Sequence, residues 1–87
     1  MTLYLAYFNL LPEERPRLDL DGQYFPLQPD LYLVETGLTR SKLYHRIKWQ
    51  LPDGTPLLVA PLADDPKFKG MADGALKWVN ERMPEDE

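Results

Sequence analysis

Nine prolines divide the 87-residue chain into short segments, and their spacing limits what the chain can fold into. Proline fixes φ and has no backbone N–H, so it ends or distorts a helix and is confined to the ends and edges of sheets. The longest proline-free stretch covers residues 30–51. We therefore expect short helices and strands that are joined by stiff loops.

The length and composition predict one folded domain. Hydrophobic residues make up 44% of the chain and charged residues 28%, which is close to the globular average and far from disordered compositions. A chain of this length can enclose one hydrophobic core but not two. We expect a single domain over residues 1–83, followed by a disordered acidic tail over residues 84–87.

Three apolar runs predict strands. Residues 2–11 are rich in Leu, Tyr and Phe, which is typical of a central strand that is covered on both faces. The run at residues 31–36 is β-branched and aromatic and ends at Gly37. A third strand is expected within residues 55–62, where two prolines restrict pairing at the ends.

A short hairpin is expected between the first two of these strands. Residues 17–20 alternate between polar and apolar, which is typical of a strand. Asp21 and Gly22 suit the left-handed positions of a tight turn, and residues 23–25 would form the second strand of the hairpin. Pro26 would end this hairpin. Its short strands would lie at an edge of the sheet.

Two helices are predicted from capping residues and helical spacing. Thr39 or Ser41 can cap a first helix that runs to about Leu51 and is stopped by Pro52. Asp73 can cap the second. The predicted core side of the first helix holds Leu43, Tyr44, Ile47 and Leu51, and that of the second holds Ala75, Leu76, Val79 and Met83.

The order of these elements predicts an α+β fold. Strands and helices share one core, so we expect a small mixed sheet of about four or five strands with both helices on one face. The strand, helix and strand that follow Asp30 would form a β-α-β unit with parallel strands and a right-handed crossover.

The sequence contains no recognisable catalytic, metal or cofactor motif. Cysteine is absent and His45 is the single histidine, which removes thiolate chemistry and zinc sites built from several cysteines or histidines. Asp64, Asp65 and Asp73 could gather a cation, but their spacing lacks a calcium-loop pattern and is better explained by turns. Enzymatic activity is left open by the sequence but is not favoured, and no cofactor is expected.

The sharpest functional feature is a stripe on the first predicted helix. Lys42, His45, Arg46 and Trp49 are spaced by three or four residues and lie away from the apolar positions. Tryptophan and arginine are enriched at the energetic centres of protein interfaces, and the same residue types can bind nucleic acid. The alternative is that Trp49 packs beneath the C-terminal helix or a loop and the basic residues are a solvated face.

The charge distribution bears on these alternatives. The formal net charge is −4, which disfavours nonspecific binding to nucleic acid. Residues 40–48 nevertheless hold four of the ten basic residues and no acidic one. The residues that could contact phosphate are Arg40, Lys42, Arg46 and Lys48.

Residues 31 to about 79 resemble SinR-like small bacterial proteins, relatives of the CRISPR spacer-integration small subunit and of VapD-like ribonucleases. The matching features are the 31–36 run, the helix capped from Thr39, the 57–62 run and Trp78. The resemblance implies a ferredoxin-like fold and often a homodimer.

Two departures from that family weaken a nuclease interpretation. Family members commonly end the first strand with an aromatic residue and a metal-binding Asp, whereas this chain has Phe8 followed by Asn9. Asn9 brings no charge to offset a divalent ion. Pro12 and Pro16 also occupy the place of the family's first helix.

We therefore expect a non-enzymatic protein-interaction or regulatory module that binds a protein partner or itself as a homodimer. The alternative is a nucleic-acid-binding or vestigial metal-dependent nuclease relative. No apolar run approaches the roughly 18 residues that span a bilayer, so no membrane association is expected, and the start lacks a signal-peptide pattern. Cytoplasmic localisation is expected.

Overall fold

The computed structural model describes residues 2–9, 19–64 and 66–82. Predictions for residues 10–18, 65 and 83–87 lie outside this part of the chain, including the first residues of the expected hairpin and the acidic tail. The elements in chain order are β1 (Thr2–Phe8), β2 (Gln23–Gln28), β3 (Leu31–Thr36), α1 (Arg40–Lys48), β4 (Leu57–Pro61) and α2 (Ala75–Arg82).

The strands form one four-stranded sheet in the order β2-β3-β1-β4. The α+β class and the strand number are confirmed. All neighbouring strands are antiparallel, so the predicted mixed sheet is wrong. The reason is the position of β1: β3 and β4 do run parallel, but β1 lies between them and pairs with both. β1 is central, as its apolar sequence predicts.

The two helices cover opposite faces of the sheet, so the prediction that both lie on one face is wrong. The α1 face is the side on which Leu43 and Ile47 pack with Tyr4, Phe8 and Val34. On the α2 face, Ala75 and Val79 of α2 pack with residues that include Leu3, Leu27 and Leu33. Successive strand residues point to opposite sides, and β1 and β3 are apolar on both, so each face requires its own cover.

The hairpin that the structure contains differs from the predicted one. β2 pairs with β3 around Pro29 and Asp30, and the described residues of the expected first strand, Asp19 and Leu20, are not in a strand. Pro26 does not end β2, because β2 is an edge strand with an irregularity between Pro26 and Gln28, where a missing N–H is tolerated. The edge position of β2 agrees with the prediction.

The turn before β2 has the left-handed backbone that the sequence predicts. Asp21 has φ 53° and Gly22 has φ 148°. Gly22 also approaches the backbone of β3 closely, because an added Cβ would overlap the carbonyl oxygen of Glu35. Glycine is therefore required at position 22 by conformation and by space.

None of the helices in the described residues is long and apolar enough to cross a membrane.

Candidate functional site

Helix α1 is fixed on the sheet by its cap and by its buried side. Thr39 is the N-cap, and its hydroxyl accepts a hydrogen bond of 3.2 Å from the backbone N–H of Lys42. Leu43 and Ile47 are completely buried in the core of the α1 face. Because these residues determine which side of the helix faces inward, the opposite side must face solvent.

The four residues predicted as a stripe lie together on that outward side. Lys42, His45 and Trp49 are exposed, and Arg46 is partly exposed. They line one side of an open groove of about 630 Å³, whose other lining residues are Asp19, Leu38 and Gln50. We call Lys42, His45, Arg46 and Trp49 the α1 surface. The structure brings them together, while their role in binding stays a prediction.

Trp49 is the most prominent residue of the α1 surface. Its side chain is 80% exposed, and its ring centroid lies 6.0 Å from that of His45. Trp49 also lines a second cavity of about 420 Å³ between the end of α1 and the start of β4, near Pro52 and Leu57. The alternative that Trp49 packs beneath the C-terminal helix or a loop is wrong, because the residue is exposed and α2 covers the opposite face of the sheet.

The wall of the groove opposite α1 is tied to the helix by polar contacts. Arg46 forms an ion pair with Asp19 at 2.9 Å and a second one with Asp21 at 3.5 Å. The side-chain amide of Gln50 accepts a hydrogen bond from the backbone N–H of Asp19 and donates one to its carbonyl oxygen, both at 2.7 Å. These bonds hold the segment around Asp19 against α1.

These contacts divide the basic residues of the helix into two groups. Arg46 already faces two carboxylates, so it is poorly placed to neutralise a phosphate. Arg40, Lys42 and Lys48 are exposed, and the Lys48 ammonium lies 5.8 Å from the centroid of the Tyr44 ring. The helix therefore presents positive charge around Trp49, but less of it than the sequence predicts.

The positions that the sequence offers for a metal ion, none of which was favoured as a site, gain no support from the described residues. Asn9 is exposed after β1, and no group of three or more His, Asp or Glu side chains in the described part of the chain is arranged to hold an ion. Asp64 and Asp73 therefore belong to no such group, and Asp65 lies outside the described residues.

A second polar cluster, which sequence analysis missed, attaches α2 to the sheet. The Arg82 guanidinium lies 3.9 Å from the centroid of the Trp78 ring, and its Nε is 3.4 Å from a carboxylate oxygen of Glu35. Arg82 also donates to the side-chain oxygen of Gln23 and to the Trp78 carbonyl oxygen. Gln23 and Glu35 are far from Arg82 in sequence, so no local spacing could reveal them, whereas Trp78 lies one helical turn before Arg82. The cluster is structural.

A further groove of about 700 Å³ opens along the β2 edge of the sheet, with lining residues from both faces. Its lining is mostly apolar, includes Tyr24, Tyr32 and Met71, and contains no charged side chain. Tyr24 is 44% exposed there and contacts Tyr32. No residue of this groove was predicted as a site.

Comparison with known proteins gives no relative: no family model matches the chain, and no match was found among the curated proteins or among the solved structures. The resemblance to SinR-like proteins is not tested by these comparisons and stays a prediction.

Proposed function

We propose that the chain is a non-enzymatic protein-interaction or regulatory module that binds a protein through the α1 surface. The observation that supports this proposal best is the 80% exposure of Trp49 beside a groove. An indole in water costs the chain hydrophobic stabilisation that burial would supply. Tryptophan and arginine are also the residue types that most often dominate binding energy at interfaces.

The rigid setting of the α1 surface supports the same proposal. Arg46 and Gln50 are held by Asp19, and α1 is held by its buried residues, so the groove is formed before a partner arrives. A preformed site avoids part of the ordering cost of association. We further propose that the module forms a homodimer and acts in the cytoplasm, the usual compartment of a small cysteine-free domain.

A second candidate is a nucleic-acid-binding or vestigial nuclease relative. Exposed Arg40, Lys42 and Lys48 on α1, with exposed Trp49 at its end, favour it, because cations can meet phosphate while the indole stacks on a base. The net charge of −4 and the pairing of Arg46 with two carboxylates oppose it. Protein binding is therefore the leading proposal.

The test of the leading proposal compares three immobilised baits in an extract of the native cell: the wild-type chain, Trp49→Ala and Tyr24→Ala. Tyr24→Ala is the control, since it removes an exposed aromatic residue from β2. We expect a protein that wild type and the control retain and Trp49→Ala loses. The purified partner should then bind Trp49→Ala about 30-fold more weakly, as for an interface hot spot. The same proteins on all three baits would contradict the proposal.

The second candidate has its own test. Wild type and Lys42→Gln are titrated with long RNA and DNA from low to moderate salt. Nucleic-acid binding predicts an affinity that falls steeply as salt rises, with a smaller slope for Lys42→Gln. If the chain binds only protein, adding it should not change the electrophoretic mobility of the RNA or DNA at any salt concentration.

A further inference from the structure

β4 lies at one edge of the sheet, and no strand in the described part of the chain pairs with its outer side. The other edge strand, β2, is partly covered. The carbonyl oxygen of Leu27 accepts a hydrogen bond of 3.1 Å from the backbone N–H of Ala72, and Gln28 donates to the Gly70 carbonyl oxygen. The two edges therefore differ, since within the described residues no backbone-to-backbone hydrogen bond is made to the outer side of β4.

The register identifies which backbone groups point outward from β4. Leu62 donates from its backbone N–H to the carbonyl oxygen of Leu3 at 2.9 Å, in register with the β1–β4 ladder. Because such pairs alternate along an antiparallel ladder, Leu58 and Ala60 also point their backbone groups toward β1. The outward groups therefore belong to Leu57, Val59 and Pro61, and since proline has no N–H, the outward donors are those of Leu57 and Val59.

The side chains of β4 make the same edge apolar. Leu58 is 54% exposed on the α2 face, opposite partly buried Tyr7 in the ladder. β4 has the sequence Leu-Leu-Val-Ala-Pro and contains no charged residue. Natural edge strands are commonly protected by charged side chains, especially lysine, and β4 has none of them.

We propose that a second copy of this chain pairs antiparallel with β4, about a two-fold axis at Val59. The N–H of Val59 then donates to the carbonyl oxygen of the partner subunit's Val59, and the N–H of Leu57 donates to that of the partner subunit's Pro61. By symmetry both outward donors of each copy are satisfied. Pro61 lacks an N–H at the end of the ladder, so no donor is left without an acceptor there.

The same register matches the side chains. Leu58 lies beside the partner subunit's Ala60 on the α2 face, so an apolar seam continues across the two-fold axis. A contact between identical surfaces usually brings like charges together, but β4 has no charge to repel. A second copy therefore fits this edge in hydrogen bonding, side-chain character and charge. This inference rests on the proposed homodimer and assigns its surface.

The test is sedimentation velocity over a wide concentration range for wild type, Leu58→Lys and Tyr24→Lys. Leu58→Lys places a protective charge on the β4 edge, and Tyr24→Lys makes the matched change on β2. We expect wild type and Tyr24→Lys to dimerise as concentration rises, and Leu58→Lys to dimerise at least about tenfold more weakly. Circular dichroism confirms that each variant is folded.

Amide hydrogen exchange of the wild-type chain gives a readout that needs no variant. Exchange at Leu57 and Val59 should slow as concentration rises, whereas Leu58 and Ala60, already bonded to β1, should change little. A dimer with concentration-independent exchange at Leu57 and Val59, or one that Leu58→Lys leaves intact, would overturn the β4 assignment and keep the homodimer. A chain that stays monomeric throughout would overturn both, without affecting partner binding at the α1 surface.

Discussion

Leu43 lies within α1 and Trp49 is the C-cap that ends it, and the two residues are in opposite environments. Trp49 is 80% exposed, whereas Leu43 is completely buried in the core of the α1 face. The cost of removing a side chain depends on the apolar contacts that it makes in the folded state. These two residues therefore separate the proposed binding role from a folding role.

Trp49→Ala should change the free energy of unfolding by less than about 0.5 kcal/mol, because the indole contacts few core atoms. Leu43→Ala, the matched change on the buried side of α1, should cost about 2–5 kcal/mol. Urea denaturation followed by circular dichroism measures both values. A loss for Trp49→Ala as large as that for Leu43→Ala would show that the indole belongs to the core.

Helical spacing was sufficient to predict where the α1 surface lies. The buried positions Leu43 and Ile47 determine the inward side, so periodicity predicts that His45 and Trp49 lie on the other side of the helix. Periodicity could not exclude that another element covers Trp49, which depended on where α2 packs. The pairing of Arg46 with Asp19 and Asp21 could not be predicted in this way. Those partners precede α1 by many residues and reach it through tertiary structure.

Gly22→Ala should destabilise the protein by about 1–3 kcal/mol or more, because φ is 148° there and the new methyl group would overlap the Glu35 carbonyl oxygen. Gly37→Ala is the control, since no described atom lies within 4 Å of an added Cβ at that position. Thermal unfolding compares the two. Equal midpoints for both variants would contradict the close approach of the Gly22 turn to β3.

At the level of elements, α1 serves as the platform of the α1 surface. It is a nine-residue helix, too short to be stable without its cap and its packing on the sheet. The first turn of α1 contains no acidic residue. The Thr39 hydroxyl accepts a hydrogen bond from the backbone N–H of Lys42, one of the N–H groups at a helix start that have no partner within the helix.

Thr39→Ala should therefore lower the free energy of unfolding by about 1 kcal/mol, while Thr39→Ser, which keeps the hydroxyl, should lower it by much less. Urea denaturation of the two variants measures the difference. Equal losses would indicate that the threonine methyl group, rather than the cap hydrogen bond, stabilises the start of α1.

Several elements were predictable from local sequence and others were not. The apolar run of β1, the β-branched run of β3 and the Thr39 cap each carry a local signal, and all three elements are present. The pairing of β2 with β3 was missed, because Asp21 and Gly22 suit a hairpin turn before β2 as well as the bend that they form there. Which strand pairs with which depends on long-range packing.

At the level of the whole molecule, the sheet is covered by one helix on each face. The α+β class follows from the order of strands and helices in the sequence. The placement of α2 does not follow from the order of the elements. Apolar residues on both sides of β1 and β3 show that each face of the sheet must be covered, but they do not indicate which helix covers which face. This arrangement leaves the α1 surface clear of α2, which the proposed function requires.

The proposed function requires that the α1 surface of the folded chain binds a protein. Its most direct test is collisional quenching of Trp49 fluorescence in Trp78→Phe, a variant in which Trp49 is the single tryptophan. We predict efficient quenching by acrylamide in the free chain and strong protection at saturating concentrations of the partner captured by wild type. Quenching that is equally efficient in the free and saturated chain would contradict binding at the α1 surface.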